Sequence, residues 1–208
     1  MVHVLLYYAN IIDYGRILFL LWAMAVYQSN PLAFIFFYVV SAALDAVDGM
    51  AARHFHQTSN VGMVLDMSID RMAYLVIQAI NFILFPQYAN VYLTLIILDG
   101  VSHIAMVSSS LISGKTTHKL KDEDTHWLLR LYYGTHLLFT LCLCSEGFAV
   151  ISYITYYYQF EGILGVLHKA LFVFFAAGTF VKQVINVFQI QHAAKQYQLF
   201  LDSPKKKA

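Results

Sequence analysis

The residues with the clearest chemical potential lie between Asp45 and Asp70. They read Asp45-Ala46-Val47-Asp48-Gly49-Met50-Ala51-Ala52-Arg53, then eight residues, then Gly62, Asp66 and Asp70. Four carboxylates and an arginine sit inside strongly apolar sequence, and an ionisable residue in such a segment is costly unless it has a function. Asp45 and Asp48 are three residues apart, and Gly49, Ala52 and Arg53 continue the same helical face. Gly62, Asp66 and Asp70 are spaced by four, so the second half also gathers its special residues on one side of a helix. Four carboxylates in a low-dielectric site repel one another. Divalent cations relieve that repulsion, and an all-oxygen donor set suits Mg²⁺ or Mn²⁺. Gly49, Ala52 and Gly62 keep the metal-facing side free of bulk, so a large substrate can lie against the backbone. The chemistry this suggests is metal-assisted phosphoryl transfer, with two cations clamping the attacking and leaving oxygens.

The elements that position these residues are membrane helices. Of 208 residues, 60% are apolar and 12% charged, about half the charge of a soluble domain. The expected fold is an all-α integral membrane protein with six transmembrane helices, one domain over residues 1–208, and the active site at the cytoplasmic side. Met1 to Tyr8 lacks a basic stretch, and no signal peptide is expected. Met1 to Asn10 is read as an interfacial segment. The first apolar run extends to about Tyr27. The others run from Leu32 to about His54, Val61 to Phe85, Val91 to Ile112, His126 to Tyr158 and Ile163 to Ile190. The link His54–Asn60 is long enough to turn between antiparallel helices, which lets all four aspartates converge. The fifth run exceeds the ~20 residues a bilayer needs, so its first turns are expected at or outside the interface.

The connections 28–31, 86–90 and 159–162 contain no Lys or Arg, whereas Arg53, Lys115, Lys119, Lys121, Lys195 and the terminal lysines fall on the opposite side. The positive-inside rule then puts both termini and the aspartates on the cytoplasmic side. The net charge of +1 points to no nucleic-acid partner. Cys142 and Cys144 read as apolar fillers.

The segment from Asp45 to Asp70 resembles the signature of the CDP-alcohol phosphotransferases, Asp-x-x-Asp-Gly-x-x-Ala-Arg, eight residues, Gly-x-x-x-Asp-x-x-x-Asp, at every fixed position. The resemblance implies two divalent ions, Mg²⁺ or Mn²⁺, held by Asp45, Asp48 and Asp66, with Asp70 as general base and further ligand. It implies a site for the CDP-linked lipid formed by Asp48, Gly49, Ala52, Arg53 and Gly62. Asn10 and Arg16 resemble the polar residues of the family's first helix, with Ala9 where the family has proline. They are candidates for the nucleotide site, or anchors of a membrane helix.

Asp99-Gly-Val-Ser-His103, His118-Lys119, Leu129 to Tyr133, Arg71, Glu146 and Lys182 are similar to segments of the eukaryotic phosphatidylinositol synthases. That branch implies CDP-diacylglycerol and myo-inositol as substrates and phosphatidylinositol and CMP as products. Arg130, Asp99, His103, Glu146 and Lys182 become candidate inositol contacts. Read alone, Asp99 and His103 also fit a buried hydrogen-bonded pair, and Lys182 can snorkel to the headgroups. A homodimer is expected from the family. Pro204-Lys205-Lys206-Lys207-Ala208 resembles a dilysine signal for the endoplasmic reticulum, or is a basic tail attracted to anionic lipid; the expected location is the endoplasmic reticulum membrane, or the Golgi. Competing readings keep the family but change the acceptor, to glycerol 3-phosphate, serine or inositol phosphate. A divalent-cation transporter is another, although transport sites usually lie near the midplane.

Overall fold

The computed structural model describes residues 3–112 and 126–202. His118, Lys119 and the terminal lysine run lie outside them. Among the described residues, seven α-helices follow a short 3₁₀ turn at Val4–Leu6: α1 Tyr8–Val26, α2 Pro31–His54, α3 Asn60–Leu84, α4 Ala89–Ile112, α5 Trp127–Gly134, α6 Leu137–Tyr157 and α7 Gly162–Asp202. There is no strand among the described residues. All but α5 are long and apolar enough to cross a membrane, six in all. The protein is therefore an all-α, multi-pass membrane protein.

Local chemistry sets the helix ends. Asn30 caps α2 by accepting from the Ala33 N–H at 3.1 Å, with Pro31 at the first helical position, where its missing N–H costs nothing. Arg53 and His54 occupy the last turn of α2, where positive charge complements the helix dipole. His56 then adopts a left-handed conformation, φ 53°, and Ser59 caps α3 by accepting from Gly62 N–H at 2.9 Å. The chain reverses in the few residues between α2 and α3. Gln57 in that turn accepts from the Tyr8 N–H at 2.9 Å, which ties the start of α1 to it.

Two compact units form. The first holds the chain up to Ala89 together with Ser152–Gln159. Ala23, Phe34 and Tyr38 are buried in it, and the Phe34 and Tyr153 rings pack 4.2 Å apart. The hydroxyls of Tyr153 and Tyr157 both donate to the Tyr27 carbonyl, at 2.5 and 2.9 Å, satisfying a carbonyl at the end of α1. The second unit holds Asn90–Ile151 and the chain from Phe160. Leu129 and Tyr132 of α5, Leu141 of α6 and Ile185 of α7 form a buried cluster there. A Cβ on Gly178 would lie 2.5 Å from the Cys144 sulfur, so glycine is what lets α6 and α7 approach, the close small-residue packing typical of membrane helices.

Three boundaries differ from the sequence reading. The interfacial stretch at the start already turns into α1 at Tyr8. The run from His126 to Tyr158 is two helices, not one. Thr135 is extended (φ −128°, ψ 179°); its hydroxyl donates to the Leu131 carbonyl at 2.8 Å and its oxygen accepts from the Leu137 N–H at 3.2 Å. One side chain thus ends α5 and starts α6. Finally, α7 runs twelve residues beyond Ile190. Its 41 residues reach ~60 Å, about twice the hydrocarbon thickness of a bilayer.

Candidate active site

The aspartates expected to converge do so. Asp45 and Asp48 on α2 and Asp66 and Asp70 on α3 surround one guanidinium, that of Arg16 on α1. Its Nη1 lies 2.9 Å from Asp48 and 3.0 Å from Asp66, and its Nη2 lies 2.8 Å from Asp45. Nη2 also contacts Asp70. A fifth carboxylate joins them: Asp13, one helical turn before Arg16, is 3.1 Å from Nη1. The Arg16 side chain is only 2% exposed, so it does not anchor the helix at a membrane surface. Its Nε makes no hydrogen bond; all its polar contacts run through the two terminal nitrogens. Ser41 of α2 donates to the Arg16 carbonyl at 3.1 Å, pinning α1 to α2 beside the cluster.

The carboxylates fall into two groups that could each hold a metal ion, Asp13 with Asp48 and Asp66, and Asp45 with Asp66 and Asp70. Within each, one oxygen per residue lies within 4.8 Å of the others. Asp66 belongs to both. Hard, anionic oxygens are what Mg²⁺ and Mn²⁺ prefer, and Arg16 already stands as a cation at the point where they meet. The donor set therefore fits divalent metal.

Beside the cluster opens a cavity of about 250 Å³. Asn10, Asp13, Asp48, Gly49, Arg53 and Gly62 are among its lining residues, and Ala52 is another. Every residue expected to receive the nucleotide lines it except Arg16, which lies among the carboxylates. Arg53 is exposed and so free to meet an anionic ligand. A Cβ on Gly62 would sit 3.2 Å from Asn10 Oδ1 and from Ser59 Oγ, tighter than an ordinary contact. On Gly49 it would lie 3.4 Å from Arg53 Nη1. At both positions a longer side chain would occupy the mouth of the cavity.

The family model for CDP-alcohol phosphatidyltransferases matches residues 6–167. The chain belongs to that family. The matched span holds every signature aspartate, Arg16 and the whole cavity lining. The chain is also similar to curated enzymes of this family. It is 37% identical to the probable CDP-diacylglycerol–inositol 3-phosphatidyltransferase 2 of Arabidopsis thaliana, over 92% of this chain and 89% of that protein. It is 35% identical to the CDP-diacylglycerol–inositol 3-phosphatidyltransferase of Saccharomyces cerevisiae, over 92% and 86%. With the human protein of the same name it shares 31% identity, over 93% and 92%. No solved structure matches the chain at a significant level.

The remaining candidates lie in the second unit. Asp99 and His103 of α4 and Lys182 of α7 come together. The Lys182 ammonium is 3.5 Å from Asp99 Oδ1, and His103 Nδ1 is 2.8 Å from the Asp99 carbonyl and 3.6 Å from its carboxylate. Lys182 is 1% exposed, so it does not snorkel. It donates to Asn186 Oδ1 at 2.7 Å and lies over the Tyr132 ring, 6.0 Å from its centroid. Glu146 is half-buried on α6, and Arg130 is exposed on α5.

Several polar residues of this unit were missing from the sequence reading. Asn186 donates to Gln183 Oε1 at 3.1 Å, and Gln189 donates to the Tyr133 hydroxyl at 2.7 Å. Burial pushes the Tyr133 phenol up to about 12, so it stays protonated. Lys182, Asn186, Gln189 and Ala193, all buried, recur every three or four residues along α7; that periodicity was the available signal. In the first unit, Asn10, Asp13 and Arg16 recur every three residues, and that spacing was the signal for Asp13.

Proposed function

We propose that the protein transfers the phosphatidyl group of CDP-diacylglycerol to myo-inositol, giving phosphatidylinositol and CMP. The observation that carries the reading is the convergence of the signature carboxylates beside a cavity walled by Gly49, Ala52 and Gly62. The acceptor follows the name shared by the curated relatives, which align over most of this chain.

In this reading Asp45, Asp48 and Asp66, with Asp70 as a further ligand, hold two divalent ions, Mg²⁺ or Mn²⁺. When bound, such ions stabilise charge on the pyrophosphate oxygens and on the departing phosphate. The cytidine lies against Gly49, Ala52 and Gly62, where the absence of side chains leaves room. Asn10 offers an amide to it, and Arg53 pairs a phosphate oxygen. Asp70 takes the proton of the attacking inositol hydroxyl. That hydroxyl's oxygen bonds to the phosphorus attached to the diacylglycerol oxygen, the bond from that phosphorus to the bridging oxygen breaks, and CMP leaves with the electron pair. Positioning and charge stabilisation account for most of the acceleration in such a transfer.

Asp99, His103 and Lys182 are proposed to contact inositol, with Glu146 and Arg130 as further contacts. A buried, hydrogen-bonded set of donors and acceptors suits a polyol. Homodimer formation is part of the proposal on family resemblance. A cytoplasmic-facing site in the reticulum membrane is another part, supported by the Lys and Arg bias of the connections.

The experiment is an acceptor screen. Purified full-length protein is given CDP-diacylglycerol, Mn²⁺ or Mg²⁺ and one alcohol at a time, and CMP release is measured. Inositol alone is expected to support rapid release. Release with serine or glycerol 3-phosphate and not inositol would replace the acceptor, and no release with any alcohol would remove the enzyme reading.

Two further outcomes follow from the geometry. Gly62→Leu is expected to weaken CDP-diacylglycerol binding roughly 10- to 100-fold, since forcing a side chain into a filled contact costs about 1–3 kcal/mol. Equal affinity in a lipid-nucleotide titration would remove the close-approach argument. Lys182→Met is expected to raise the inositol KM about tenfold or more, the scale of a lost charged hydrogen bond, with little change in the KM for CDP-diacylglycerol. A change in the lipid-nucleotide KM alone would place the polyol elsewhere.

A further inference from the structure

Asp13 lies outside the signature, and neither its spacing from Asp45 nor the family pattern marks it. We infer that Asp13 is a fifth carboxylate of the metal centre, completing a second cation subsite with Asp48 and Asp66. The inference rests on the two-ion reading above.

Arg16 shows how the carboxylates are divided. Its Nη1 meets Asp13, Asp48 and Asp66, at 3.1, 2.9 and 3.0 Å. Its Nη2 meets Asp45 and Asp70. The two terminal nitrogens of one guanidinium thus face two adjacent sets of oxygens. Without Asp13 the Nη1 position would keep two carboxylates, one of them shared with the other position. With it, both groups have three members.

Charge supports the same assignment. Five carboxylates carry five negative charges and Arg16 returns one, which leaves four, the charge of two divalent ions. Removing Asp13 leaves three, which two such ions would overshoot. Burial makes the balance matter. Asp13 is 1% exposed, and an uncompensated charge there is costly. Asp13, Asp48 and Asp66 also line the cavity, and Asp45 and Asp70 do not. The Asp13 subsite therefore faces the space where the substrate's phosphates would lie. The other subsite shares only Asp66 with that lining.

The alternative is that Asp13 serves only as a local ion-pair partner of Arg16, three residues away. That role predicts a change in stability and none in metal stoichiometry.

The test is Mn²⁺ binding to full-length protein in lipid nanodiscs, followed by electron paramagnetic resonance. Wild type is expected to bind two Mn²⁺ with the spectrum of a spin-coupled pair. Asp13→Asn is expected to keep one ion, lose the coupled signal, and weaken the second ion about tenfold or more, at least the scale seen when a supporting residue of a metal site is lost. Asp13→Glu keeps the charge on a longer arm, so the pair should return with altered coupling. The inference is overturned if wild type binds a single Mn²⁺, or if Asp13→Asn retains the coupled pair at wild-type affinity. Should Asp13→Asn fail to insert, Asp13→Glu decides: unchanged coupling and affinity overturn the inference. CMP release with inositol, read on the same samples, separates the two ideas. An active wild type with an intact pair in Asp13→Asn overturns the subsite alone. An inactive wild type with a pair lost in Asp13→Asn overturns the reaction and leaves the subsite standing.

Discussion

Asp66→Asn is expected to lower CMP release by about a thousandfold or more while leaving the protein in the membrane. Asp66 is the one carboxylate common to both groups of possible ligands, so its loss affects both ions of the proposed mechanism. Metal ions contribute several kcal/mol of transition-state stabilisation, and ~4 kcal/mol is about three decades of rate. Asparagine preserves shape and keeps one oxygen, so the helix pair α2–α3 should survive. The measurement is kcat for CMP release against Mn²⁺ concentration. Near-wild-type turnover at saturating Mn²⁺ would show that Asp66 is not a ligand the reaction needs. Asp45→Asn and Asp48→Asn are expected to follow the same pattern with smaller losses, each belonging to one group. Asp70→Asn should lose turnover even where metal binding is retained, because its proposed role is to take a proton.

Much of this site could be read from the sequence because its chemistry is locally encoded. Asp45 and Asp48, and Asp66 and Asp70, are spaced so that each pair shares a helical face whatever the rest of the chain does. A short polar link with Ser59 as cap then forces the two faces together. Arg16 and Asp13 are different. Their partners on α2 and α3 lie between 29 and 54 residues away in sequence, and although Asn10, Asp13 and Arg16 share a face, nothing local says which way that face is turned. A basic residue in a first membrane helix also suits a headgroup, so only the packing of α1 on α2 and α3 decides. The helix ends show the same division. Asn30-Pro31 and Ser59 are strong local signals, and α2 and α3 begin at Pro31 and Asn60, one residue before the Leu32 and Val61 read from apolarity. Thr135 breaks a continuous apolar run through one hydroxyl that hydrogen-bonds on both sides, and composition cannot reveal that. The reading of α7 stopped at Ile190 because apolarity stops there. Helix formation does not: Gln, Ala and Lys are good helix formers, and no glycine or proline intervenes before Pro204.

The metal-free protein should depend on Arg16 far more than the metal-loaded one. Arg16→Met removes the cation from five carboxylates and leaves a side chain of similar length. Removing one member of a buried ion pair commonly costs about 3–5 kcal/mol, because the remaining charge is stranded. Here the stranded charge is larger, and protonation of some aspartates relieves only part of it. Without divalent metal, Arg16→Met is therefore expected to lower the unfolding temperature by on the order of 10 °C, read by intrinsic fluorescence on full-length protein in nanodiscs. Mn²⁺ should restore most of the loss, since an ion that binds the folded state alone stabilises it by mass action and supplies the missing positive charge. Arg16→Lys should fall between the two, because an ammonium is a single point of charge and cannot reach both groups as the two arms of a guanidinium do. If Arg16→Met unfolds at the wild-type temperature with and without Mn²⁺, the carboxylates are not held together by Arg16. The aspartates must then be neutral in the metal-free protein, with their mutual repulsion removed by protons and not by the guanidinium.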